Sequence, residues 1–195
     1  MSSFLKINFY DQHFIDFKRL DPMRPMDLGD GPELLELSVT LPRDAPETTW
    51  NPFFGTRSLY TGYLYDGSNS RPVFVKWAKS KQRMEELKRE GDFYCSALRK
   101  LQGVVVPNFY GYYAATGHGL RGLGCMILEQ MDRGDVSNGE VDNRSKLEAA
   151  YRLHKVGVRH CGLNDKENFV THGEKVYIIG FSEAKAGAAV RQRGD

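Results

Sequence analysis

The sequence predicts an α+β fold, with an antiparallel sheet, one long helix and a second, shorter helix. Three observations predict it. Two alternating runs, 58–66 (SLYTGYLYD) and 72–78 (PVFVKWA), flank turn residues and read as a hairpin. Met84, Leu87, Gly91, Tyr94, Leu98 and Leu101 recur at spacings of three and four, which is one apolar helical stripe. The order of patterns is strands, helix, strands, helix, hairpin.

The elements follow in order. Phe4, Ile7, Phe9, Phe14, Ile15 and Phe17 are apolar without a clean period, and 21–31 is rich in Pro, Gly and Asp and reads as a loop or linker. Residues 33–41 (ELLELSVTL) form a strand candidate ending at Pro42, and 43–52 holds two further prolines and reads as a break. After the hairpin, Ser80 is placed to cap the long helix and Gly103 to stop it. Residues 104–106 and 110–115 read as strand material. Residues 125–129 (CMILE) are almost wholly apolar, as in a central strand. A second helix is expected over 143–156, burying Leu147, Ala150, Tyr151 and His154, with Asp142 or Asn143 as cap and Gly157 after its end. A last hairpin turns at His172-Gly173, and the tail 182–195 reads as frayed.

Composition narrows the function classes. Hydrophobic residues at 41% and charged residues at 27% fit a globular chain rather than a disordered one. A net charge of +2 without a clustered basic stripe argues against nucleic-acid binding. Cys95, Cys125 and Cys161 are widely spaced and form no C-x-x-C pair, so thiols in a reducing compartment are expected. Lys6, Asp11 and Asp16 interrupt the N-terminal apolar residues, which does not suit a secretory signal. No apolar run approaches the roughly 20 residues of a membrane span. A cytoplasmic protein without a membrane partner is the expectation.

One pair of residues points to chemistry. Lys76 lies inside the apolar strand VFVKW, on the face of Phe74 and Ala78. Glu90 borders the buried stripe of the following helix, three residues after Leu87 and four before Tyr94. Taken singly, they read as an edge-strand lysine and a boundary glutamate. Taken together, they suggest an ion pair, because a carboxylate on a packing face is costly unless paired. Such a pair would hold a lysine towards a phosphate.

The order of these features resembles the protein-kinase family, and most closely the small, divergent kinase-like proteins of fungi. V-F-V-K is similar to the strand motif V-A-I-K, with Lys76 as the phosphate-binding lysine and Glu90 as its helical partner. CMILEQM resembles the strand and hinge that hold adenine, with Leu128 as gatekeeper and Glu129 to Met131 in the hinge. HCGLNDKEN, 160–168, resembles H-x-D-L-x-x-x-x-N, with Asn168 as a metal ligand and His160 as a structural histidine. IIGFSEA, 178–184, is similar to the segment that carries D-F-G. The resemblance covers roughly residues 50–186. It implies a five-stranded antiparallel N-lobe with one long helix in 50–131, a truncated and mainly helical C-lobe in 132–195, and an extension or extra N-lobe strands in 1–49.

The motif departs from the family where acids are needed. Counted from His160, the catalytic-base slot holds Gly162; counted back from Asn168, it holds Leu163. Asp165 is close and could substitute only in a rebuilt loop. The slot for the Mg²⁺-binding aspartate holds Gly180. Gly55 is the one glycine in 53–60, where the phosphate loop wants three. Gly117 to Gly124 reads as a flexible hairpin loop with Arg121 as an anion contact. The sequence continues only 14 residues past Phe181, without an A-P-E segment. Losing one general base costs roughly 10²- to 10⁴-fold in rate, and losing the metal ligand removes charge neutralisation as well.

Other sites are weaker. His154 on the helix stripe reads as a core histidine. Cys161 has no visible triad partners. Asp132, Asp135 and Glu140 lack metal-loop spacing. Three readings follow. The first is a pseudokinase serving as a binding or regulatory module for a protein partner, with weak or Mg²⁺-independent ATP binding or none. The second is an active atypical ATP-dependent phosphotransferase for protein or small molecule. The third is a truncated product without function. The sequence does not name the partner or the oligomeric state.

Overall fold

The computed structural model describes residues 4–8, 14–20, 34–40, 59–65, 69–116, 122–131, 143–173 and 175–187. The chain divides into two compact units, Met1–Gly91 with Phe109–Gln130, and Asp92–Asn108 with Met131–Asp195.

The first unit is a seven-stranded sheet closed into a barrel. Its strands are β1 (Phe4–Asn8), β2 (Phe14–Arg19), β3 (Leu34–Thr40), β4 (Leu59–Tyr65), β5 (Ser70–Ala78), β6 (Phe109–Ala115) and β7 (Gly124–Glu129). They run in the order β1-β2-β6-β7-β5-β4-β3. Every ladder but one is antiparallel. The exception is the parallel pairing of β1 with β3, in which Leu5 faces Leu35 and Ile7 faces Leu37, and it closes the sheet.

Alternation fills the barrel. Leu5, Ile7, Phe17, Leu37, Val73, Val75, Trp77, Cys125 and Ile127 point inward and form one buried cluster. Phe17 and Trp77 meet edge to face at 5.6 Å. Asp16 and Lys18, the neighbours of Phe17, are exposed, as a period of two requires. Strand β7 is paired on both sides, with β5 and β6, and is buried from Gly124 to Leu128.

Helix α1 (Lys81–Cys95) starts where Ser80 Oγ accepts the Arg83 N–H at 3.3 Å, an N-cap bond. Its first turns lie hard against the sheet. Tyr112 donates to the Met84 carbonyl at 3.3 Å. A Cβ on Gly124 would sit 2.8 Å from the Tyr113 carbonyl and strike the Met84 side chain, so only glycine allows this approach.

The second unit holds helix α2 (Asn143–Lys155) and two short sheets, β8 (Val158–Arg159) with β11 (Lys185–Ala186), and β9 (Phe169–His172) with β10 (Lys175–Ile178). Residues 92–108 are bound into it. Ile178 N–H donates to the Val105 carbonyl at 2.8 Å, and the Tyr177 hydroxyl to that of Gly103 at 3.2 Å. The Gln102 amide donates to the Tyr94 carbonyl at 2.9 Å.

This architecture corrects the fold expected from the sequence. The described residues hold eleven strands, two α-helices and three 3₁₀ turns, so β-structure dominates them in place of the expected α+β balance. The sheet has seven strands and is closed, not a five-stranded antiparallel N-lobe. The second unit has one α-helix among its described residues and is not a mainly helical C-lobe. The difference originates in β1, β2 and β3. β3 falls within the strand candidate 33–41, whereas β1 and β2 have only five and six residues, too few for a period of two to stand out, and the pairing of β1 with β3 is not local.

Helix α2 buries a different face from the one its spacing predicts. Ala149 and Leu153 are its buried residues, while Leu147, Tyr151 and His154 are exposed. Residues 103–105 form a turn and Val106 an isolated bridge to Gln102, rather than a strand over 104–106, and 185–186 pair as β11. No described helix is long and apolar enough to cross a membrane. The expected linker 21–31, the break 43–52, the loop around Gly55, the stretch 117–121 with Arg121, the acids Asp132, Asp135 and Glu140, and the end of the tail from 188 lie outside the described residues.

Candidate functional site

Two groups of residues carry the chemistry read from the sequence, one in each unit. In the first unit, β5 sends Val73, Val75 and Trp77 into the barrel, so Phe74 and Lys76 lie on its outer face. There Lys76 Nζ meets Glu90 Oε1 of α1 at 2.6 Å. Glu90 is 1% exposed, while the Lys76 side chain retains 23% exposure. The carboxylate is therefore buried, and the ammonium keeps a path to water. This is a charge-assisted hydrogen bond at the short end of its range. It fixes Lys76 while leaving a cationic donor accessible, which suits an anion such as a phosphate.

The same face carries Phe74, which motif comparison alone did not single out. Phe74 puts a half-buried ring where V-A-I-K has a methyl, two residues before Lys76 and paired across the sheet with Thr61 and Leu128. Its signal was the motif itself: phenylalanine in the alanine slot.

At the end of β7, Leu128 is buried and Glu129 half-buried, paired with Val73. The Gln130 N–H donates to the Pro72 carbonyl at 3.2 Å. Met131, in the second unit, is 1% exposed.

In the second unit, the loop from 160 to 168 is held by its own side chains. His160 Nε2 lies 2.8 Å from the Ile179 carbonyl, and its Nδ1 is 3.2 Å from the Gly162 N–H. A carbonyl on one side and an N–H on the other assign the neutral tautomer with the proton on Nε2. The ring stands edge-on to Phe181, which stands edge-on to Tyr94. His160 thus supports backbone and is buried at 2% exposure.

Asn168 is folded inward. Its Nδ2 donates to the Gly162 carbonyl at 2.8 Å. Gly180 has φ +83 and ψ 54, the left-handed region. A Cβ there would meet Asn168 Oδ1 at 2.6 Å, and one on Gly162 would meet Asn168 Nδ2 at 3.0 Å. Gly162 and Gly180 are therefore packed against the same amide. Asp165 is engaged as well: its Oδ1 accepts the Glu167 N–H at 2.9 Å and caps the 3₁₀ turn Lys166–Asn168. Glu183 is exposed. Among the described residues, no group of three or more His, Cys, Asp or Glu side chains is placed to hold a metal ion.

The structure thus joins Lys76 to Glu90, and Asn168 to Gly162 and Gly180. The chain matches no protein-family model and no curated protein sequence.

Proposed function

We propose that this chain is a pseudokinase-type binding module, which keeps the lysine–glutamate device of phosphotransfer enzymes and has lost their acids. One observation carries the reading: Gly180 is packed against Asn168 Oδ1 in a left-handed conformation. An aspartate at 180 would have to displace the Asn168 amide, in a left-handed backbone that Asp adopts less readily than Gly. The Asn168 amide, a metal-ligand candidate by resemblance, is directed to backbone. Kinase chemistry consists of positioning plus charge neutralisation, and Gly162, Asn168 and Gly180 offer no carboxylate for either.

Nucleotide binding, where it occurs, is weak and Mg²⁺-independent, and rests on Lys76 rather than on a metal. The widely spaced thiols suit a reducing, cytoplasmic setting, and the role is to bind a protein partner. Asp165 as a replacement base is disfavoured, because its carboxylate caps a turn.

Thermal unfolding with ATP, with and without Mg²⁺, tests the nucleotide part. A ligand at 100 times its dissociation constant adds about 2.7 kcal/mol. A small shift at millimolar ATP that is indifferent to Mg²⁺ and lost in Lys76→Ala is the expected result. A large shift that requires Mg²⁺ would contradict the reading.

A further inference from the structure

Strands β8 and β11 set two cations directly opposite each other. In this antiparallel ribbon Val158 faces Ala186 and Arg159 faces Lys185, and the Gly187 N–H extends the ladder by donating to the Gly157 carbonyl at 2.7 Å. Val158 is buried, so its neighbour Arg159 points to the outer face, and both Arg159 and Lys185 are exposed. Opposed residues of an antiparallel pair lie on one face with their Cβ atoms about 5 Å apart, and like charges placed there repel.

No acid of the described residues offsets this repulsion. Neither Arg159 nor Lys185 has an ion pair among them, in contrast to Lys76, Arg83 and Arg152. Glu183, the acid nearest to Lys185 in sequence, is exposed on the 3₁₀ turn before β11 and engages neither cation. The Arg159 stem is held in place: a Cβ on Gly187 would stand 3.1 Å from its Cγ and 3.4 Å from its Cδ. Glycine at 187 thus lets the aliphatic part of Arg159 lie against the strand. The result is two positive charges without a negative one, on a backbone that fixes their spacing. A group with two negative charges and several acceptor oxygens matches it. The guanidinium offers paired N–H donors, and the ammonium a compact charge.

We propose that Arg159 and Lys185 bind a phosphoryl dianion, either a phosphate monoester or free phosphate. The site lies wholly in the second unit and does not involve Lys76, so it goes beyond the nucleotide reading and stands without it. A lone carboxylate fits less well, because it brings one charge to two cations. Nucleic acid fits less well too, because a net charge of +2 provides no basic stripe to follow a chain of phosphates. Binding removes the repulsion across the ladder, so it stabilises the fold as well.

The test uses the full chain, with inorganic phosphate and N-acetyl-O-phosphoserine amide as probes, each against chloride at equal ionic strength. Phosphorus NMR titration should show saturable binding of at least one probe. Arg159→Gln and Lys185→Glu should each weaken it at least about tenfold, the loss of one charge-assisted contact. Arg152→Gln, which removes a cation that is already paired, should leave it unchanged. Lys185→Glu also places a carboxylate opposite Arg159. Its unfolding midpoint should therefore lie above that of the wild type without phosphate, and should no longer respond to phosphate. Both positions are exposed, so neither variant should lose its fold. Tighter binding of the ester assigns the site to a phosphorylated partner residue, and tighter binding of inorganic phosphate assigns it to the free ion. The absence of saturable binding for both probes would overturn the proposal. So would an affinity unchanged in both variants, or an equal loss in Arg152→Gln.

Discussion

Asn168 occupies the space that a side chain at position 180 would need, its Oδ1 2.6 Å from where a Cβ on Gly180 would stand. The same amide donates to the Gly162 carbonyl. The glycine at 180 is thus part of the packing, and placing an acid there has a structural cost. Gly180→Asp should destabilise the chain by about 1–3 kcal/mol, from left-handed strain and displacement of Asn168. Urea unfolding measures this. A neutral or stabilising effect would mean that the loop readily admits the acid.

The Lys76–Glu90 pair yields a signed comparison. Lys76→Ala leaves the 1%-exposed Glu90 carboxylate without its ammonium and should cost about 3 kcal/mol. The double change Lys76→Met with Glu90→Leu should cost less than that single change, because it removes both charges. Chemical denaturation of the two variants decides between this order and its reverse.

Helix α2 gives a contrast between faces. Leu153→Ala removes a fully buried side chain and should cost about 2–5 kcal/mol. Leu147→Ser and Tyr151→Ser should each change stability by no more than about 0.5 kcal/mol. Equal losses on both faces would place the helix in the rotation that the sequence alone suggested.

The thiols should react unequally. Cys161 is exposed and Cys125 is buried, and burial holds the Cys125 thiol well above its ordinary range. A raised folded-state value favours the neutral form. The stability it contributes is therefore complete below the ordinary thiol range, about pH 8.5, and declines as pH rises above it. Thiol labelling of the native chain should modify Cys161 and spare Cys125 until unfolding. Rapid labelling of Cys125 in the folded state would show that the barrel interior opens.

The sequence exposed the local elements more clearly than their assembly. The strand at 59–65, the strand ending at Ala78, the start of α1 and the central β7 each have a long or unbroken pattern, and they stand close to where the periodicity places them. The closure of the sheet was hidden, because it depends on the parallel pairing of two short strands, β1 and β3, far apart in sequence. The face of α2 differs from the expected one because Leu147 with Tyr151 and Ala149 with Leu153 both recur at a spacing of four, so periodicity alone does not choose between the two faces. At the candidate site, the Lys76–Glu90 pairing was legible, since a strand lysine and a buried-stripe glutamate each need a partner. The inward turn of Asn168 was not, because it depends on the backbone conformation at Gly180.

Transfer of labelled γ-phosphate from ATP with Mg²⁺, to the chain itself and to protein and small-molecule acceptors, tests the central claim most directly. The account predicts that the wild type incorporates no more label than Lys76→Ala. Incorporation that the wild type gives and Lys76→Ala loses would contradict it.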